Sequence, residues 1–216
     1  MRSYEYLFFD LDGTLTDPAE GITKSVEYAL NKFGITVADR SELFCFIGPT
    51  LADSFRRFYG FSDEDALRAV VYYREYFPEK GIFDNRVYDG IPELLAKLQT
   101  AGRTLVLATS KPEEFARRIM DKFDLARYFK HLCGATFDGR ISKKSEVIEY
   151  AIETAGITDR SSVLMIGDRE HDVLGAKKAG VDSLGVLFGY GSREELEGAG
   201  ATYIAESVEE LGKMLI

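Results

Sequence analysis

Cysteine, histidine and long apolar runs are what this sequence has least of. Its 216 residues include two cysteines, Cys45 and Cys133, far apart and in no paired motif, so neither a disulfide framework nor a cysteine-bound zinc is indicated. The two histidines, His131 and His171, are too few for a histidine metal set or a convincing triad. No stretch approaches the roughly 18 apolar residues of a membrane span. Only Tyr6 to Phe9 precede Asp10 as an apolar run, far short of a secretory leader. The expectation is therefore a cytoplasmic protein with no membrane partner. Basic residues are also in the minority: 27 Lys and Arg face 36 Asp and Glu, a formal net charge of −9. That balance argues against a nucleic-acid polymer as partner, while leaving room for a small basic pocket that recognises an anion.

What is present describes a folded chain. Hydrophobic residues make up 45% and charged residues 29%, with no low-complexity tract, and the length suits one large domain or a core carrying a smaller one. Short apolar runs ending in turn-like residues recur at Tyr6 to Phe9, Thr104 to Ala108, His131 to Gly134, Val163 to Ile166 and Ser183 to Leu187. Helical patterns lie between the later ones, at Pro92 to Leu98, Pro112 to Phe123, Lys144 to Thr154 and His171 to Ala179. Strand-like runs spaced by amphipathic helices predict an α/β fold with a mostly parallel sheet covered on both faces, and ligands beyond the carboxyl ends of its strands. Ser192-x-x-Glu195 and Ser207-x-x-Glu210 read as capping boxes of short terminal helices, with an edge strand near Thr202 to Ile204.

One interval is too long for a single crossover. Between the first strand and Thr104 lie three helical stripes: Ile22, Val26, Leu30 and Phe33; Leu51, Phe55 and Phe58; and Leu67, Val70, Val71 and Phe77. They predict a helical domain over residues 18–83, inserted into a discontinuous core of residues 1–17 and 84–216.

The chemistry concentrates at predicted strand ends. In Asp10-Leu11-Asp12-Gly13-Thr14, residues two apart on a strand point the same way, so Asp10 and Asp12 face one site while Gly13 permits a sharp turn. Two carboxylates this close invite a hard cation or a shared proton. With a cation beside them, one can attack as a nucleophile and the other can give and take a proton. Thr109 and Ser110 stand before Lys111-Pro112 and a helix start, where a hydroxyl and free amides can cradle phosphate oxygens; an ordinary helix cap looks the same. Lys143 and Lys144 oppose the dipole of the helix they open, which is easier to explain if one faces an anion or a carboxylate cluster; taken in isolation the pair reads first as solvated. Asp168 ends the fourth strand and can join Asp10 and Asp12 around one ion, with Asp172 one helical turn later as ligand or support. Carboxylates without His or Cys partners imply Mg²⁺ before Zn²⁺.

Together, in this order, these four segments resemble the haloacid dehalogenase superfamily in its phosphatase branch, across essentially the whole chain. The resemblance implies a Rossmann-like three-layer α/β/α core with an inserted α-helical cap. It implies that Asp10 is the nucleophile that becomes aspartyl-phosphate, and that Asp12 is the general acid/base whose backbone carbonyl also holds Mg²⁺. Thr109, with Ser110, would bind the phosphoryl group, Lys144 would neutralise it, Asp168 would complete the metal site and Asp172 would support it. Within the superfamily the chain is most similar to the phosphoglycolate phosphatase and 5'-nucleotidase group. Its Thr109-Ser110-Lys111-Pro112 departs from that group's usual asparagine at position 110. The expected activity is Mg²⁺-dependent hydrolysis of small phosphorylated metabolites, by a monomer or homodimer. Lys111, and Lys24, Phe46, Gly48 and Arg56 from the cap, are candidate substrate contacts. Alternatives on the same core are a phosphosugar mutase of the β-phosphoglucomutase kind, an inorganic pyrophosphatase and, outside catalysis, an interaction module.

Overall fold

Short apolar runs become strands wherever both their faces find a cover. In the computed structural model, which describes residues 2–216, these are β1 (Tyr6–Phe9), β2 (Thr16–Asp17), β3 (Arg86–Val87), β4 (Thr104–Pro112), β5 (His131–Ala135), β6 (Val163–Gly167), β7 (Asp182–Val186) and β8 (Tyr203–Ala205). Six of them form one sheet in the order β5-β4-β1-β6-β7-β8, with every pair parallel. Phe8, Val106, Val163 and Met165 point to one face, where they are buried with residues of α6 (Lys144–Ala155) and α7 (Glu170–Ala179). The alternate set, Leu7, Phe9, Leu105, Leu107, Leu164 and Ile166, is buried as well, which is why these runs are continuously apolar instead of alternating. This is the three-layer α/β core that the sequence predicts.

The topology decides where a ligand can sit. The chain goes from β1 outward to β4 and β5, then crosses to β6 on the other side of β1 and continues to β7 and β8. Strand order therefore reverses at β1, and the crevice beyond the carboxyl ends of β4, β1 and β6 is the switch point of a doubly wound sheet.

The chain divides into two compact units, one holding everything up to Asp17 together with Val87–Ile216, the other Pro18–Arg86. The second is helical: α1 (Ala19–Asn31), a 3-10 turn at Arg40–Phe46, α2 (Leu51–Tyr59), α3 (Asp63–Tyr76) and a π-helical turn at Phe77–Gly81. Its first stripe is buried at Ile22, Val26 and Leu30, but its third is not the one expected. Leu67 and Val71 are exposed, and α3 is seated instead through Ala66, Ala69 and Tyr73, with Tyr73 stacked on Phe77. Small side chains on that face let the helix backbone come close, which side-chain bulk alone does not predict.

The remaining helices are α4 (Ile91–Thr100), α5 (Glu113–Lys122), α8 (Arg193–Ala199) and α9 (Val208–Leu215). Ser192 and Ser207 cap α8 and α9 by accepting the amides of Glu195 and Glu210, both at 3.1 Å. Neither closes a full box onto its cap: Glu210 accepts the amide of Glu206, one residue before the cap, at 2.7 Å, and Glu195 reaches away to Arg169 Nε and the Glu170 amide, both at 2.8 Å. Glu195 thereby ties α8 to the start of α7.

Candidate active site

Asp10 lies one residue beyond β1, and its amide donates to the Ile166 carbonyl of β6 at 2.9 Å, so the first aspartate is fixed to the neighbouring strand. The chain then turns tightly through Gly13, whose φ of +81° suits glycine, and a side chain at that position would collide with the Asp168 carboxylate. Asp168 follows β6 and is fully buried. Lys144 opens α6, and Asp172 sits in the first turn of α7.

These residues converge. Asp10, Asp168 and Asp172 are buried and each offers a carboxylate oxygen within 4.8 Å of the others. The Lys144 ammonium pairs with Asp10 Oδ1 at 2.8 Å and Asp172 Oδ1 at 2.7 Å, and donates to the Ala108 carbonyl at 3.1 Å. Lys111 Nζ pairs with Asp12 Oδ2 at 2.7 Å. Of the lysine pair at the head of α6, Lys144 is buried in the cluster while Lys143 is exposed.

The electrostatics follow from four carboxylates facing two ammonium groups. Burial pushes the Asp168 carboxyl well above its ordinary range, with the Asp172 and Asp10 charges adding to it and the Tyr190 amide opposing. Burial likewise raises Asp172, against the pull of Lys144. Asp12 is raised by burial, and Lys111 opposes that rise. For Lys144 burial acts downward, but the charges of Asp10 and Asp172 outweigh it and hold the amine protonated above its usual value. Four carboxylates against two ammonium groups, and a buried Asp168 Oδ1 without a hydrogen-bond partner, are what a divalent cation would complete by favouring the ionised carboxylates. An all-oxygen donor set suits a hard ion.

Thr109 is buried, but its setting differs from the predicted helix cap. β4 continues through it to Pro112, with a register irregularity against β5 between Thr109 and Pro112, and α5 starts only at Glu113. The Thr109 hydroxyl accepts the Lys111 amide at 3.3 Å, a local turn that tips Lys111 toward Asp12. Ser110 is half-buried beside it.

The candidates in the helical unit are largely occupied within it. Lys24 is held by Glu20 at 2.6 Å and Asp84 at 2.9 Å, and Arg56 pairs with Asp53 and, at 2.9 Å, with Asp63. Phe46 is buried in an aromatic cluster with Phe55, Phe58 and Tyr59, so its ring packs the unit's own core. Gly48 has a φ of +106° in the following loop. The motifs pass over one element altogether: Gly189-Tyr190-Gly191, after β7, lies directly on Asp168, and the Tyr190 amide donates to Asp168 Oδ2 at 2.8 Å. Its signal in the sequence is a glycine on each side of an aromatic just past a strand, the pattern of a close backbone approach.

Fold and site together define a doubly wound α/β enzyme whose centre is an aspartate pair backed by a third strand-end carboxylate and a buried lysine. The chain belongs to the haloacid dehalogenase-like hydrolases, whose family model matches residues 7–186. It has the paired aspartates of that family's phosphatases. A 5'-nucleotidase from Pseudomonas aeruginosa is 46% identical over 212 residues, covering 98% of this chain and 96% of that protein. The tyrosine-protein kinase PtkA of Mycobacterium tuberculosis is 38% identical, covering 99% of this chain and 73% of that one. Among solved structures, a predicted phosphatase from Clostridium acetobutylicum matches with a TM-score of 0.96 at 53% identity, covering 99% of this chain and 98% of that one. Among the described residues no helix is long and apolar enough to cross a membrane.

Proposed function

We propose that this phosphatase hydrolyses a small phosphomonoester, a 5'-nucleotide or a phosphoglycolate-like ester, by way of an aspartyl-phosphate on Asp10. The observation that carries the reading is the position of Asp10, buried at the switch point within 2.8 Å of a buried ammonium group. In the first step Asp10 forms a bond to phosphorus as the ester oxygen leaves, and Asp12 gives that oxygen its proton. In the second, Asp12 takes a proton from the water that attacks the aspartyl-phosphate, releasing phosphate and restoring Asp10. Burial of Asp12 supports the acid role because it favours the protonated carboxyl at higher pH than in water. Lys144 lies where it can offset phosphoryl charge, and Thr109 where its hydroxyl can bind a phosphoryl oxygen.

Mg²⁺ fits the donor set. Asp10, Asp168 and the Asp12 backbone carbonyl would hold it, with Asp172 in support. When bound it supplies positive charge between the carboxylates and the phosphoryl oxygens. The helical unit is the cap in this reading, and it selects the leaving group.

The test is phosphate release from 5'-nucleotides, phosphoglycolate, pyrophosphate and β-glucose 1-phosphate, each with and without Mg²⁺. Mg²⁺-dependent release is expected, falling at least about 10³-fold in Asp10→Asn. Metal-independent release, or near-normal turnover in that variant, overturns the mechanism. Faster conversion of the sugar phosphate to its 6-isomer would make the protein a mutase. Because a relative is named a tyrosine-protein kinase, phosphate transfer from ATP to protein tyrosine belongs in the same panel, and its dominance over hydrolysis would overturn the phosphatase reading.

A further inference from the structure

The loop Phe188–Gly191 touches three places that the chemistry does not otherwise connect. Its main chain meets the cation cluster, where the Tyr190 amide donates to Asp168 Oδ2 at 2.8 Å. Side chains at position 189 or 191 would run into Asp168 or its backbone, so glycine at both lets the loop lie flat on that residue. The Tyr190 hydroxyl donates to Asp17, the last residue of β2 before the chain enters the helical unit at Pro18. Phe188 meets Tyr88 edge-on, with ring centroids 5.4 Å apart, just after the chain returns at Val87. The Tyr88 amide in turn donates to the Leu15 carbonyl at 3.1 Å. One short loop therefore grips a carboxylate of the cluster, the chain's exit and its return.

We propose that Tyr190 is a positioning residue that couples the Asp168 carboxylate to the crossing segments Thr16–Asp17 and Arg86–Val87. The proposal rests on the reading of the aspartate cluster as a divalent-cation site. Asp168 Oδ2 accepts the Tyr190 amide, its Oδ1 has no hydrogen-bond partner, and the residue offers a carboxylate oxygen within 4.8 Å of oxygens of Asp10 and Asp172. A cation that fixes this carboxylate fixes the Tyr190 main chain through the same group, and the phenol passes that order to Asp17. Because such coupling is reciprocal, whatever orders the crossing segments also favours the cation-ready orientation of Asp168. The roles separate chemically: the amide serves Asp168, while the hydroxyl serves the exit strand.

Tyr190→Phe removes the hydroxyl and keeps the amide and ring. Amide hydrogen exchange read over residues 14–20 and 85–90, with and without saturating Mg²⁺, tests the coupling, with Mg²⁺ affinity measured by calorimetry on the same samples. In the unaltered protein Mg²⁺ is expected to slow exchange there by about threefold to tenfold, the scale of one buried hydrogen bond. In Tyr190→Phe the slowing should vanish and, because the coupling is reciprocal, the Mg²⁺ dissociation constant should rise by a comparable factor of about threefold to tenfold, with binding retained. Asp17→Ala should behave as Tyr190→Phe does, the double variant should add nothing, and Asp17→Asn, which retains an acceptor, should keep the slowing. Retained slowing in Tyr190→Phe, additive effects, or loss in Asp17→Asn equal to that in Asp17→Ala would overturn the coupling. Failure of the unaltered protein to bind Mg²⁺ would instead overturn the reading of the cluster itself.

Discussion

Asp168 shows how one residue's surroundings determine what the protein needs from solution. It is fully buried, one oxygen is satisfied by an amide, the other has no partner, and two more carboxylates lie close by. Without a cation, burial and the neighbouring carboxylates favour the protonated form of Asp168 in the folded protein more than in the unfolded chain, whose carboxyl titrates near pH 4. Between that ordinary carboxylate value and the raised one the folded state binds more protons, so metal-free stability falls as pH rises through the window. A cation prefers the ionised form and acts in the opposite sense. The rise in Tm on adding Mg²⁺ should therefore grow as pH rises above the ordinary carboxylate range. Thermal unfolding of metal-free and Mg²⁺-loaded protein over that rise in pH checks it, and a pH-independent increment would contradict this account of the cluster.

Helix packing sets the geometry of the same cluster. α6 and α7 cover one face of the sheet side by side, and Gly175 of α7 lies where a side chain would come within 2.8 Å of Lys144 Cγ and 3.0 Å of its Cβ. The missing side chain makes room for the lysine stem that places its ammonium between Asp10 and Asp172. Gly175→Ala should cost about 1–3 kcal/mol by overpacking and lower kcat more than it raises KM, because it displaces a group beside the nucleophile. Gly198, within α8, has open space where a side chain would go, and Gly198→Ala should stabilise by up to about 1 kcal/mol with unchanged kinetics. Chemical denaturation and steady-state kinetics on both variants separate strain at the site from helix propensity.

The insertion of one unit into the other suggests a division of labour. Residues 18–86 form a continuous segment, and the flanking strands Thr16–Asp17 and Arg86–Val87 pair with each other. Paired strands lie about 4.8 Å apart, so a short Gly-Ser linker can close the gap left by excising 18–85. If the helical unit selects the leaving group, the excised protein should still bind Mg²⁺ and hydrolyse a small aryl phosphate, yet lose most of its discrimination among natural esters. Comparing kcat/KM across the substrate panel in both forms decides it. Unchanged discrimination would place specificity in the catalytic unit.

Sequence alone was enough for the α/β class, the parallel sheet and the strand-end aspartates, because buried parallel strands must be continuously apolar and Asp-x-Asp-Gly follows such a run immediately. These are local signals whose cause lies within a few residues. It also singled out Lys144 beside Asp10, but only by resemblance, since helix propensity treats Lys143 and Lys144 alike. Tertiary structure alone decided which lysine is buried, that Lys111 pairs with Asp12, that α3 seats on alanines, and that Phe46, Lys24 and Arg56 are engaged inside the helical unit. It also brought Gly189-Tyr190-Gly191 onto Asp168 and Asp17 from more than twenty and more than 170 residues away. Contacts over such separations depend on which strands are neighbours and how closely two backbones approach, and neither is written in the spacing of residues along the chain.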